Sequence, residues 1–518
     1  MTTSTAPPRL SLRRTAQVGT SPAWAMAAVV VAAVALTVSS FVSDTALLMG
    51  TTLVVLVFAG VLVLYQPHLG VLVIMTTMLV SYPAALKGAG PFTINNLLGI
   101  SLIAILAFQV YRNHDYWFLR EPEVRLLIII ASLLIFSQIM STFFLPDVRH
   151  MLPKVEKARG AGFYGASDSG SRWVFELLSR IAFTIFFVNW IRTAKQLRAV
   201  LIMFALCIVA VIPSLTSDMF KASSDSYRIS SKLVGWAANP NRFAFMVNVG
   251  IALFVYLANV VRSPALKLFA LLGAISCVPL VLLSVSRSGM LGLCLVGALL
   301  MWQKQIPRRA KIFAATLSFA LGLVFFMFVL SADQQERLLN LNPFAASTGV
   351  EGSRSTEQRV ATLGEALQII RQYPLLGVGL GNFRWVNMYM HGSWKPPHNS
   401  YVWSWSEGGV FVTLSYLMLF GFLFARIQRL RPKYEKHPVL PYLPDFLNLY
   451  LILLFFFSIF ADVWLEVHIY FIISMAIVLS RWALDEELRS RGLPGATAGT
   501  PGARRAATRV LYRPRTAA

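Results

Sequence analysis

The sequence predicts an all-α, polytopic membrane protein of about fourteen transmembrane helices (about 12–14), with one large, partly helical loop on its outer face. Three observations predict it. Of 518 residues, 56% are hydrophobic and only 13% are charged, with a mean hydropathy of +0.64; a globular domain of that size needs more polar surface than this. The apolar runs are each about 16 to 25 residues long, the length a helix needs to cross about 30 Å of hydrocarbon, and too long for the strands of an outer-membrane barrel. The Lys and Arg residues, last, collect on alternate connections.

In chain order, the apolar runs place spans near 24–43, 46–65, 69–87, 96–111, 124–144, 173–191, 197–215, 241–261, 265–284, 288–303, 311–331, 400–425, 446–463 and 466–483. The first run lacks a small-residue cleavage site and reads as a retained span behind a tail, 1–23. Residues 24–331 then form the first part of the bundle, 332–399 a long loop, 400–483 the second part, and 484–518 a basic tail rich in Arg, Ala, Gly and Pro. That composition predicts a disordered segment drawn to anionic headgroups.

Short cytoplasmic loops carry the excess of Lys and Arg. "RLSLRR" at 9–14 puts the N-terminus in the cytoplasm, and alternate loops then hold Arg112/Arg120/Arg125, Arg192/Lys195/Arg198, Arg262/Lys267, Lys304/Arg308/Arg309/Lys311 and Arg426/Arg429/Arg431/Lys433/Lys436. Much of the +23 net charge is therefore topology and attraction to membrane lipids, and no nucleic-acid partner is expected. Cys207, Cys277 and Cys294 all fall inside spans, so no disulfide or metal site is expected.

On this topology the segments 145–172, 216–240 and 332–399 face away from the cytoplasm. Within the last, "STEQRVATLGEALQIIRQYP" (355–374) reads as an amphipathic helix: Ser355 and Gln358 form a capping box, Val360, Leu363, Leu367 and Ile370 keep helical spacing, and Pro374 ends it. The glycines of "PLLGVGLGNF" (374–383) permit tight turns, but the stretch lacks the lysine and the spacing of a phosphate-binding loop.

Arginines on the outer face run against the positive-inside bias. Arg287 stands in a short turn between two spans, Arg228 and Arg242 flank "GWAANPN", and Arg354 and Arg359 open the loop helix. Two readings stay open for them: snorkelling to lipid phosphate, or guanidinium forks that grip a phosphate or pyrophosphate. His398, in "KPPHNSYVWSWSEGGVF" (395–411), is either a polar cap or a titratable group held for chemistry. Pro396 and Pro397 fix its approach, Asn399 and Ser400 can orient the ring, and Glu407 lies two turns along nearly the same side. Trp403 and Trp405 have an ordinary alternative as an interfacial belt, favoured for Trp403. Glu176 and Arg180, four apart in one span, can neutralise each other.

"PHNSYVWSWSEGG" resembles the motif of the O-antigen ligase and O-antigen polymerase superfamily, in which His-Asn is followed by nine residues and then Gly, here Gly409. The family's usual second glycine, three positions on, is Val412 here, a departure that concerns local helix packing. The resemblance extends to Arg287 with Leu291, to "NPNRFA" (239–244), to the loop helix with Arg359 and to "PLLGVGLGNF". It covers about residues 230–420, and the ordered set is fairly specific.

The resemblance implies a bacterial inner-membrane glycosyltransferase with its site facing the periplasm. Such enzymes move a glycan from a polyprenyl diphosphate carrier to an acceptor hydroxyl, with inversion at the sugar carbon and without metal or other cofactor. On that reading His398 is the general base, the alternative being a hydrogen bond to the diphosphate, and Arg287 and Arg359 meet the charge of the leaving group. Arg228, Arg242, Asn399 and Glu407 complete the expected substrate-binding set. The acceptor is another glycan or lipid A core, for a polymerase or a ligase; a protein acceptor is the less favoured alternative. A flippase or transporter of the lipid-linked glycan stays open as a second class, and a non-catalytic scaffold as a third.

Overall fold

The computed structural model describes residues 66–79, 103, 106–107, 111, 117–145, 170–221, 239–303, 306–339 and 350–490. Among these residues every regular element is a helix, with no strand. The helices are α1 (Pro67–Leu79), α2 (Pro122–Phe144), α3 (Gly170–Trp190), α4 (Ala194–Lys221), α5 (Pro240–Val260), α6 (Pro264–Leu283), α7 (Arg287–Trp302), α8 (Arg308–Phe328), α9 (Ala332–Leu339), α10 (Val350–Gln372), α11 (Phe383–His391), α12 (Ser400–Tyr434), α13 (Leu443–Phe457) and α14 (Val467–Ser490). Seven of these are long and apolar enough to cross a membrane, and α1, α7 and α13 are shorter apolar helices. The chain is a polytopic membrane protein.

The ten spans expected from 124 onward each fall on a helix. The runs at 24–43 and 46–65 lie outside the described residues, and those at 69–87 and 96–111 lie only partly inside them. Boundaries follow local chemistry. Pro122, Pro240 and Pro264 open α2, α5 and α6, where a missing N–H costs nothing. Asn239 caps α5 by accepting from the Asn241 N–H at 2.9 Å, and Ser286 caps α7 through Gly289 N–H at 3.1 Å.

Two boundaries differ from the sequence expectation. The loop helix α10 starts at Val350, so Ser355 is not its cap: nothing in 350–354 breaks a helix except Gly352, which costs only about 1 kcal/mol. And α13 stops at Phe457, which leaves Asp462 in a connection, 458–466, and not in a span.

The core gathers around α5, which is buried along most of its length and packs on α6, α7 and α13; α8 buries none of its apolar stretch and lies at the rim. Polar contacts mark two ends of the bundle. At one, Arg426 takes Glu123 through both carboxylate oxygens (2.6 and 2.7 Å) and Glu121 at 2.8 Å, Arg431 pairs with Asp445, and Arg481 lies over the Trp117 ring. At the other, Ser286 Oγ donates to Asn241 Oδ1 at 2.7 Å, and Ser400 Oγ donates to the Ala461 carbonyl at 2.6 Å. The starts of α5, α7 and α12 and the 458–466 connection thus share one end.

The long helix α12 is broken at Gly409, where φ is 74° and ψ is −175°. A break inside a span frees backbone groups that lipid cannot satisfy. Here the glycine-rich segment after α10 satisfies them. Val378 N–H donates to Ser406 O (2.8 Å), Gly379 N–H donates to Glu407 O (2.9 Å), and Val410 N–H donates to Pro374 O (3.0 Å). Ser137 Oγ, from α2, adds a bond to the same Glu407 carbonyl at 3.0 Å. The glycines of "PLLGVGLGNF" are therefore there for close backbone approach to a broken helix.

A Cβ on Gly409 would overlap the Leu375 carbonyl, whereas one on Gly421 would meet nothing. Gly409→Ala is expected to cost more than about 2 kcal/mol and to lower the yield of monodisperse protein, while Gly421→Ala leaves thermal unfolding in detergent unchanged. Equal melting of the two variants would contradict the loop-and-break packing.

Candidate functional site

The site is built from the connection between α13 and α14. Ser400, the first residue of α12, stitches it in place: its backbone N–H donates to Ser458 O at 2.7 Å, and its hydroxyl donates to Ala461 O and accepts from Val463 N–H at 2.9 Å. Between these anchors stands Asp462. One carboxylate oxygen lies 3.4 Å from His398 Nδ1, and the other accepts from Arg242 at 2.8 Å.

Arg242 also donates to Glu466 at 2.7 Å. Glu466 lies 3.8 Å from Arg180, which pairs with Glu176 at 3.2 Å and donates to the Leu465 carbonyl. An unbroken chain of ionisable groups therefore runs from Glu176 on α3 through Arg180, Glu466, Arg242 and Asp462 to His398. The expected Glu176–Arg180 pair is present and is its far end. Burial pushes the Asp462 carboxyl up, but the Arg242 guanidinium and the His398 contact outweigh it and hold the group well below the usual carboxylate range. An ionised carboxylate can only accept. In the His398 contact the donor is therefore Nδ1–H, and Nε2 is the ring nitrogen that Asp462 does not contact.

His398 itself adopts the left-handed backbone conformation, with φ 51°. For residues other than glycine this is uncommon, although histidine is among those that tolerate it. Pro396 and Pro397 precede it, and Asn399 begins the helix directly after, accepting from the Tyr401 and Val402 N–H groups at 3.0 Å each. The ring is thus presented from a rigid corner. On the far side of Asp462 a narrow cleft is lined by Arg242, Glu407, Asp462, Glu466, Trp173 and Trp403, among others.

The expected site residues divide as follows. His398, Arg242 and Glu407 gather at this cleft, His398 through its contact with Asp462. Arg242 is engaged by two carboxylates, which differs from a fork held open for an anion. Asn399 spends its side-chain oxygen as the helix cap, so Asp462, not Asn399 or Ser400, contacts the ring. Glu407 is buried beside the break in α12, and its carboxylate accepts from Phe383 N–H at 3.4 Å.

Arg287, half-buried, opens α7 one residue after the Ser286 that bonds Asn241. Arg359, half-buried in α10, follows Gln358, whose amide oxygen accepts from Lys395 three residues before His398. Neither lines the cleft. Arg228 lies outside the described residues, as does the side chain of Arg354. Trp403 is only 5% exposed and faces the cleft, not a lipid belt.

Asp462, inside the span expected at 446–463, and Glu466, on the short turn after it, were not among the expected site residues. The usable signal was that a charge set between two apolar runs needs a counter-charge, and Arg242 at the start of a span needs one too.

Residues 272–417 match the O-Antigen ligase family model. That stretch holds Arg287, Arg359, His398, Asn399, Glu407 and the glycine segment, and leaves Arg242, Asp462 and Glu466 outside it. No curated protein matches the chain.

Removing one partner from a buried ion pair leaves an uncompensated charge, at about 3–5 kcal/mol. Arg242→Met is therefore expected to lower the thermal stability of the substrate-free protein sharply. An arginine reserved for substrate would leave that stability unchanged, and such a result would contradict the ion chain.

Proposed function

We propose, with the O-antigen ligase match over 272–417 as premise, that this chain is a bacterial inner-membrane glycosyltransferase whose site faces the periplasm. It transfers a glycan from a polyprenyl diphosphate carrier to an acceptor hydroxyl. The observation that carries the reading is the His398–Asp462–Arg242 arrangement: an imidazole from the matched stretch with its Nδ1 on a buried, ionised carboxylate from outside that stretch, beside a cleft.

A sugar hydroxyl is a weak nucleophile until its proton is taken. Nε2 of His398 accepts that proton as the hydroxyl oxygen bonds to the anomeric carbon, and the bond from that carbon to the diphosphate oxygen breaks with its electron pair. The sugar carbon inverts and the polyprenyl diphosphate leaves. Asp462 favours the imidazolium formed in this step, as a fixed negative charge on the far nitrogen. Arg242 acts one step further out, holding Asp462, and is a positioning residue in this reading.

The charge that develops on the diphosphate needs fixed cations, and Arg287 and Arg359 are assigned that role. Arg287 opens a helix at the same end of the bundle as Arg242, and Arg359 follows the glutamine tied to the segment ahead of His398. The acceptor is another lipid-linked repeat or lipid A core, so the chain acts as a surface-polysaccharide polymerase or a ligase.

The test is turnover of purified protein on a labelled polyprenyl-diphosphate-linked oligosaccharide, with each acceptor supplied separately. His398→Ala is expected to slow transfer by about 10²–10⁴-fold while donor binding and folding persist. Arg287→Lys is expected to lose at least about tenfold, since an ammonium lacks the two-pronged contact. Wild-type protein that forms no product, yet moves the labelled lipid across a vesicle bilayer, would overturn the transferase reading in favour of a transporter that uses the same ion chain.

A further inference from the structure

A second, shallow cleft adjoins the first and shares Trp173, Trp403 and Glu407 with it. The remaining wall includes Trp385 on α11, Trp394 in the following connection, and Arg384. Four indoles from separate elements thus converge on one space. They are not scattered as lipid-facing tryptophans would be: Trp302, for comparison, is 80% exposed.

The indoles form two edge-on pairs. Trp385 and Trp394 have centroids 4.5 Å apart at 85°, and Trp173 and Trp403 lie 6.4 Å apart at 65°. Such pairs hold ring planes in fixed orientations. The guanidinium of Arg384 lies 5.9 Å from the Trp403 centroid, and the Glu407 carboxylate is held by Phe383 N–H. Aromatic walls with one cation and one carboxylate are suited to a ligand that is apolar on its faces and hydroxylated around its rim. A pyranose ring is that ligand: its axial C–H bonds make an apolar face, and its hydroxyls both donate and accept.

We infer that this tryptophan-lined cleft is a subsite for one sugar unit of the transferred glycan or of its acceptor, stacked on the face of Trp385, whose orientation Trp394 fixes edge-on, with rim hydroxyls meeting Glu407 and Arg384. The inference rests on the proposed glycan transfer and adds to it the part of the substrate that is recognised and the residues that recognise it. Because Glu407 and Trp403 also line the cleft that holds Asp462, the bound unit lies next to the one beside His398.

The probe is a panel of methyl glycosides (glucoside, galactoside, N-acetylglucosaminide and rhamnoside) titrated against the full chain in nanodiscs, with binding read by saturation-transfer NMR from the sugar ring protons. At least one glycoside is expected to bind wild type through its axial protons. Trp385→Ala is expected to weaken it by about tenfold or more, with Trp385→Phe retaining most of the affinity and Trp302→Ala all of it. Unchanged melting of Trp385→Ala separates lost stacking from lost folding.

Failure of every glycoside to bind wild type, or equal binding by wild type and Trp385→Ala, overturns the subsite. Glycoside binding without any transfer product keeps the subsite while the transferase reading falls. In the transfer assay, a raised KM for the lipid-linked donor in Trp385→Ala assigns the unit to the donor, and a raised KM for the acceptor assigns it to the acceptor.

Discussion

A guanidinium at the start of a membrane helix cannot stand without counter-charge, and Arg242 meets that requirement with two carboxylates from one short turn, at 2.8 and 2.7 Å. The rest of the site depends on this pairing. It ties the beginning of α5 to the 458–466 connection, and that connection is stitched by Ser400 to the beginning of α12. His398 stands two residues earlier. The carboxylate that faces its ring is thus fixed from one side by the charge of Arg242 on α5 and from the other by the hydrogen bonds of Ser400, two residues after the histidine. Glu466 extends the chain to Arg180 on α3, the helix that also brings Trp173 to the clefts.

A second constraint is set by the hydrocarbon, which supplies no partners for loose backbone groups. Breaking α12 at Gly409 is tolerable only because the segment 374–379 lies against it and takes up the freed carbonyls and the Val410 N–H. The break has a consequence for the site. The turn that ends there carries Trp403 and Glu407 into both clefts, and the loop that covers it leads directly into α11 with Arg384 and Trp385. A glycine pattern that invites comparison with phosphate-binding loops is explained by packing against a helix.

The spans were legible because apolar length is a local property: α2, α5, α6 and α8 begin and end close to where the sequence runs change character. His398 stood out as a titratable side chain at the mouth of an apolar helix. What the sequence did not reveal is long-range pairing. Arg242 and Asp462 are 220 residues apart, and nothing local distinguishes an arginine that will meet two carboxylates from one left for a ligand. Asn399 looked like a group to orient the histidine, yet a free N-terminal backbone N–H competes for the same oxygen and wins. The four tryptophans of the second cleft sit on α3, α11, α12 and a connection, so their convergence has no signature in spacing.

The measurement that bears most directly on the account is the configuration of the bond the protein makes. Purified wild-type chain in nanodiscs would be given a polyprenyl-diphosphate-linked glycan of defined anomeric configuration, carbon-13 labelled at C1, together with a hydroxyl acceptor, and the new linkage read by NMR. Direct displacement with His398 as base predicts a single product of inverted configuration, formed about 10²–10⁴-fold more slowly by His398→Ala. Retained configuration, or undiminished product from His398→Ala, would contradict it.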